Sequence, residues 1–431
     1  MKKWTAKLLL ICMMLMPIMA LASCDDTATP PDGSQPVVIT PNPSGDASDT
    51  PSTPTNPESP TNPETPAAPN EIKNIILIIG DGMGLDHISA GEMMYGQKYA
   101  FTNWQFTTSN TDCAYANGIV DDRTATDSAA GATALASGKL AVRQTVGKDY
   151  QGNDVTTILD DAKALGKSTG IVTTDVLHGA TPASFSAHDP SRYEKDALVI
   201  SQLSSNVDLL CGHIDSVCTS KKAAIAAAGY AYCDDFSRID ETMTASKAYW
   251  QLDLGGSNDV AMIASVALSE ATLKALDFLD RDEDGFAMMI EQAHIDKFAH
   301  SADFRGTAYS VKSLNDTVDA ILAWLGDRTD TAIVITADHE TGGLSVSMEP
   351  RYSKTIRASA MDDEGNRPVI YYSYTSNDHT RAKVGVFVYG IDADFSKFGY
   401  YGSQHTIKNT TVYDLLADVL ANPVEYGKRA A

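Results

Sequence analysis

"IKNIILIIGDGMG", residues 72–84, decides how the rest of the chain is read. Isoleucine or leucine fills every position from 75 to 79 without helical spacing, so the run reads as a strand buried on both faces and closed by Gly80. Asp81 then stands at the carboxyl end of a strand, the edge of an open α/β sheet at which ligands bind. The glycines at 80, 82 and 84 suggest a phosphate cradle only weakly, because the dinucleotide-type glycine spacing is absent.

The pattern recurs further along the chain. "STGIVTT" (168–174) leads to Thr181, "FAMMIE" (286–291) ends on Glu291, and "TAIVITADHE" (331–340) runs into Asp338 and His339. "VGVFVYG" (384–390) is another buried strand, with His379 just before it. Amphipathic stretches such as 307–325 lie between them, which predicts an α/β three-layer sandwich, a largely parallel central sheet covered by helices on both faces. Acids and imidazoles then gather along one edge. In "EQAHIDKFAH" (291–300), Asp296 and His300 are four residues apart, so on a helix they share a face and can grip one cation. Two imidazoles and a carboxylate form a common zinc set, and His379 is the leading candidate for the missing ligand.

The 431 residues, 43% of them apolar, can bury a sizeable core, and the net charge of −23 argues against nucleic acid as a partner. Any phosphate site on so acidic a chain needs its own positive charge, which suggests metal ions. Residues 1–23 follow the export pattern, with Lys2, Lys3 and Lys7 before an apolar run from Leu8 to Leu21. "LASC" (21–24) resembles a bacterial lipoprotein signal, which makes Cys24 the lipidated first residue of the mature chain. Residues 24–70, rich in Pro, Thr, Ser, Asn and Asp, are expected to be a disordered tether. The protein is then exported and lipid-anchored at the cell envelope, on its periplasmic or extracellular face. Of the later cysteines, Cys211 and Cys218 are the best single candidates for a disulfide, because they are close in sequence across a loop.

"TDSAAGATALASG" (126–138) reads either as a small-residue helix made for close packing or as the seat of a nucleophile, Ser128. Its partners elsewhere decide between the two. The segments "NIILIIGDGMG", "TDSAAGATA", "GATPASFSAHDPSR", "MIEQAHIDKFAH", "VITADHETGG" and "DHT" (378–380), in that order, resemble the bacterial alkaline phosphatase family.

The resemblance implies a phosphomonoesterase with two Zn2+ and one Mg2+, acting on small phosphate monoesters through a phosphoserine. It places Asp296, His300 and His379 on one zinc, Asp81, Asp338 and His339 on the other, and Asp81, Thr181 and Glu291 on magnesium. Ser128 is the implied nucleophile, Arg192 the phosphate clamp oriented by Asp127, and Lys297 a further phosphate contact. The catalytic domain spans 71–431, with an insertion around 349–376, and the homodimers common in the family leave oligomeric state open. One position departs from the family: two residues before Thr181, where relatives often carry an acid or a histidine, stands Gly179, and the candidate substitutes are His178, by a small shift, or water.

Two other readings compete. "DRDEDGFAMMIE" (280–291) satisfies the EF-hand calcium pattern, but "FAMMI" reads as a strand and Glu291 is claimed by the catalytic site, so Asp280, Asp282 and Asp284 are assigned to a solvated turn. Within the superfamily a phosphodiesterase or related phosphoryl-transfer enzyme is the alternative. Arg192 and a filled magnesium site favour monoesters, since both engage a terminal phosphate.

Overall fold

The isoleucine run forms β1 (Asn74–Gly80), buried throughout its length. The computed structural model describes residues 71–255, 264–400 and 405–426. The expected export signal, Cys24 and the 24–70 tether lie outside them. On one side of β1 lie, in order, β7 (Phe286–Gln292), β3 (Ser168–Thr173), β4 (Leu209–His213), β6 (Ala248–Leu252) and β5 (Ala231–Cys233). On the other lie β8 (Thr331–Thr336), β14 (Val384–Tyr389), β2 (Gln105–Ser109) and β15 (Thr406–Ile407). Neighbours are parallel except around β14, which runs antiparallel to both β8 and β2.

Alternation along β1 sends Ile75, Leu77 and Ile79 into one layer and Ile76 and Ile78 into the other. The first layer is closed by the helix Ser128–Ser137, through Ala132, Leu135 and Ala136. The second is closed by the helix Phe304–Leu325, whose Val311, Leu314, Val318, Ile321 and Leu325 recur at helical spacing. Buried Asn74 aligns the strands: its Nδ2 donates to Thr331 Oγ1 at 3.1 Å and its Oδ1 accepts from the Phe286 amide at 3.0 Å. In this register Glu291 is paired with both Ile79 and Thr173, so the carboxyl ends of β1, β3, β7 and β8 finish together.

After β8 the chain turns through β9 (Glu340–Thr341) into a separate three-stranded antiparallel sheet of β10 (Ser345–Ser347), β11 (Lys354–Arg357) and β12 (Val369–Ser373). Leu344, Ala358 and Ile370 seat this sheet on Ala90, Met94, Phe304 and Ala308. The return strand β13 (His379–Thr380) pairs with β9, setting His379 opposite Thr341.

The expected Cys211–Cys218 disulfide is absent: Cys113, Cys211, Cys218 and Cys233 are all free and buried. Cys211 packs with Ile76 and Trp250 in one layer, whereas Cys218 packs with Leu210 and Tyr249 in the other, so the sheet separates the two thiols. The calcium-loop pattern also fails as a loop. Asp280 pairs with Arg328 at 2.8 Å and Asp282 accepts from Ser168 at 2.8 Å, while Glu291 stands near the far end of β7, about 17 Å beyond Phe286 at ~3.3 Å per residue.

Candidate active site

Ser128 is the first residue of its helix, 4% exposed. Asp127 is the N-cap, its Oδ1 accepting from the Ala130 amide at 3.2 Å while its carboxylate also accepts from the Gln144 amide and from Arg192 Nη1, each at 3.1 Å. One carboxylate thus fixes both the helix start and the guanidinium. Further along this helix, a Cβ on Gly131 would lie 2.7 Å from the Asp338 carbonyl oxygen, so the missing side chain lets the helix reach the end of β8.

Three imidazoles converge beside Ser128, and their partners assign the tautomers. His300 Nδ1 lies 2.6 Å from the Asn377 carbonyl and His379 Nδ1 2.7 Å from the Thr126 carbonyl, so both Nδ1 atoms donate. In the neutral rings each Nε2 offers a lone pair, yet the two lie only 3.2 Å apart. Such an approach is repulsive unless a proton or a cation lies between them. Asp296 Oδ1 stands 3.3 Å from His300 Nε2 and 3.5 Å from His379 Nε2.

Thr341 donates to Asp296 Oδ1 and accepts from His339 Nδ1 at 3.2 Å. His339 Nε2 is therefore a lone pair too, 3.2 Å from Ser128 Oγ, 3.3 Å from Asp81 Oδ1 and 3.4 Å from Asp338 Oδ2. Asp296, His339 and His379 form one group able to hold a cation, and Asp81, Asp338 and His339 a second, with His300 against the first.

Deeper in the edge, Asp81 Oδ1, Asp338 Oδ2, Glu291 Oε1 and Thr181 Oγ1 are buried without a hydrogen-bond partner. Buried polar atoms are rarely left so, and cations fit as the missing partners. Burial and crowding by the other acids push Asp81 well up, Glu291 up to about 8 and Asp338 up to about 7. Burial would raise Asp296 as well, but the hydrogen bond with His300 and the nearby imidazoles hold it low, and the same hydrogen bond raises His300 to about 9. Burial lowers His339 well below its ordinary value. In the absence of metal, protons occupy a site whose donors suit metals: imidazoles with carboxylates for zinc, and carboxylate with hydroxyl oxygens for magnesium.

The sequence profile of the alkaline phosphatase family matches residues 72–216 and 247–404. This chain belongs to the alkaline phosphatase family. Alkaline phosphatase 4 of Bacillus subtilis is 31% identical over 294 residues, covering 64% of this chain and 63% of its own length. The Escherichia coli alkaline phosphatase is 27% identical over 384 residues, covering 74% and 81%. The chain spans 63% and 66% of two Bacillus subtilis relatives, alkaline phosphatases 4 and 3. Its fold is that of the alkaline phosphatase from the Antarctic bacterium TAB5, with TM-score 0.66 at 23% identity over 82% of this chain and 99% of the other. A cold-active alkaline phosphatase from Shewanella sp. gives TM-score 0.68 at 23% identity over 80% and 99%.

One expected role does not match this geometry. His178 does not stand in for Gly179: its Nε2 is 3.0 Å from Asp215 Oδ2, at the start of the helix Ser216–Ser220. Lys297 pairs with Asp175, Nζ to Oδ1 at 2.7 Å, a contact compatible with its expected reach to phosphate. Asp175 and Thr341 escaped the sequence reading, although an acid two residues past the end of β3 was a visible signal. Thr341 carried none, because its role comes from pairing opposite His379.

Proposed function

We propose that this protein is an exported, lipid-anchored phosphomonoesterase that binds two zinc ions and a magnesium ion. The observation that carries the reading is the convergence of Ser128 and three imidazole Nε2 atoms, with unpartnered buried carboxylate oxygens at the ends of β1, β7 and β8. Asp296, His300 and His379 would hold one zinc, Asp81, Asp338 and His339 the other, and Asp81, Glu291 and Thr181 the magnesium. Bound divalent cations supply Lewis acidity that favours ionised oxygen nucleophiles and offsets charge on the entering and leaving oxygens of an in-line displacement.

The chain's own residues do the rest. Ser128 Oγ attacks phosphorus from the amino end of its helix, where backbone N–H groups and the dipole favour an incoming phosphate. Arg192, anchored at one nitrogen by Asp127, turns its planar fork toward the non-bridging oxygens of a terminal phosphate. As the Ser128–phosphorus bond forms, the ester oxygen departs as the alcohol. Water then attacks the phosphoserine, releasing phosphate and restoring the hydroxyl.

The test is phosphate release from an aryl monoester at alkaline pH, expected to need zinc and to stop with a chelator. A zinc-loaded protein that cleaves only diesters would overturn the reading. Anchoring rests on "LASC" (21–24), and palmitate labelling of the expressed protein should vanish in Cys24→Ala. Labelling that persists would remove the lipid anchor. Among the described residues no helix is long and apolar enough to cross a membrane.

A further inference from the structure

Gly179 leaves the third cation without the side chain its position would contribute, but the space in front of it is not empty. A Cβ built on Gly179 would lie 2.6 Å from Asp175 Oδ2 and 3.1 Å from Asp175 Cγ. Residue 179 is therefore glycine in a place where a carboxylate from β3's carboxyl end already stands.

That carboxylate is not placed by chance. Its Oδ1 accepts from the Val176 amide at 2.9 Å and from Lys297 Nζ at 2.7 Å, so Oδ2 is the oxygen turned toward Gly179. The Asp175 amide donates to Thr173 Oγ1 at 2.8 Å, and that hydroxyl donates to Glu291 Oε2. The chain Asp175–Thr173–Glu291 locks one oxygen of Glu291 and leaves the other, Oε1, buried without a partner, as Thr181 Oγ1 also is.

The geometry points to Asp175 as the carboxylate that completes the third cation site in place of residue 179, and as the positioning residue for Lys297. The assignment rests on the phosphatase reading and extends it to a residue outside the family's ligand positions. Two jobs fall on one side chain: it adds negative charge at the cation, and it holds the ammonium that would face phosphate. Magnesium keeps part of its water shell and prefers oxygen partners, so a carboxylate beside that shell suits it better than an imidazole.

The test uses the full chain loaded with zinc, titrated with Mg2+ by calorimetry. Asp175→Asn preserves size and is expected to weaken Mg2+ binding roughly 10- to 100-fold, as loss of supporting partners does at other metal sites, with zinc content unchanged. Gly179→Asp alone should fail to bind Mg2+ normally, because its Cβ collides with Asp175. Joining it to Asp175→Ala removes the side-chain part of the collision, leaving the Val176 carbonyl oxygen 2.9 Å from the new Cβ, and should bind Mg2+ more tightly than the Gly179→Asp single variant. An Asp175→Asn protein with Mg2+ affinity within twofold of the unmodified chain, or a Gly179→Asp single variant that binds normally, would overturn the assignment while leaving the phosphatase reading intact. An unmodified protein that hydrolyses monoesters without binding Mg2+ would also overturn it. Loss of both Mg2+ binding and monoester hydrolysis in the unmodified chain would overturn both.

Discussion

At the scale of single residues, Ser128 and Asp127 are adjacent yet separable. Ser128 Oγ lies 3.2 Å from His339 Nε2, whereas Asp127 caps the helix and anchors Arg192. Ser128→Ala should lower kcat by at least about three orders of magnitude, the scale of losing a nucleophile, with zinc content and thermal midpoint nearly unchanged. Asp127→Ala should instead cost about 1 kcal/mol of capping, lower the melting temperature by roughly 2 °C and raise KM as Arg192 loses its anchor. Steady-state kinetics and calorimetric melting on the two variants check this. Equal effects on kcat and KM in both would contradict the division of labour.

At the scale of elements, the decisive contact is the helix Ser128–Ser137 against the end of β8. Alanine normally stabilises a helix over glycine by about 1 kcal/mol. At Gly131 the sign should reverse, because the added Cβ would press on the Asp338 carbonyl at 2.7 Å. Gly131→Ala is expected to lower both the melting temperature and the zinc bound per chain, since the displaced strand end carries Asp338 and His339. A more stable variant with full zinc would show that the approach is not required. The small residues of this helix are thus part of the site: they let the nucleophile's helix reach the acids.

The same scale explains His379. Its segment is separated from β8 by the three-stranded insert, and only the β9–β13 pairing brings it opposite Thr341. Hydrogen bonding to the Thr126 carbonyl then turns Nε2 inward, one turn of chain before Ser128.

At the scale of the whole molecule, the acids make stability depend on pH and metal together. Burial and neighbouring acids raise Glu291 from 4.5 to about 8 and Asp338 from 3.8 to about 7 in the folded protein. Between their ordinary values and these raised ones the folded state binds more protons than the unfolded state. Stability is therefore full below the ordinary values and is lost as pH rises through the raised ones. Cations replace those protons, so metal binding should stabilise the protein most at alkaline pH. Melting temperatures of chelated and metal-loaded protein, compared from about pH 5 to pH 9, should diverge as pH rises. A gap independent of pH would contradict the linkage.

Much of this was legible before any coordinates. The unbroken apolar runs of β1, β7 and β8 announce buried parallel strands, because only a sheet covered on both faces needs no polar side. The acids and histidine after them announce a ligand edge, because parallel strands finish on the same side. The four-residue spacing of Asp296 and His300 carries its own geometry. Local sequence determined these features, since strand, helix and strand end are set by neighbouring residues. Tertiary structure alone decided which acid stands before Gly179, which layer each cysteine enters, and how Thr341 and the Thr126 carbonyl turn imidazoles inward. Those outcomes depend on register and on approach between segments far apart in the chain, and residue order does not encode such distances locally.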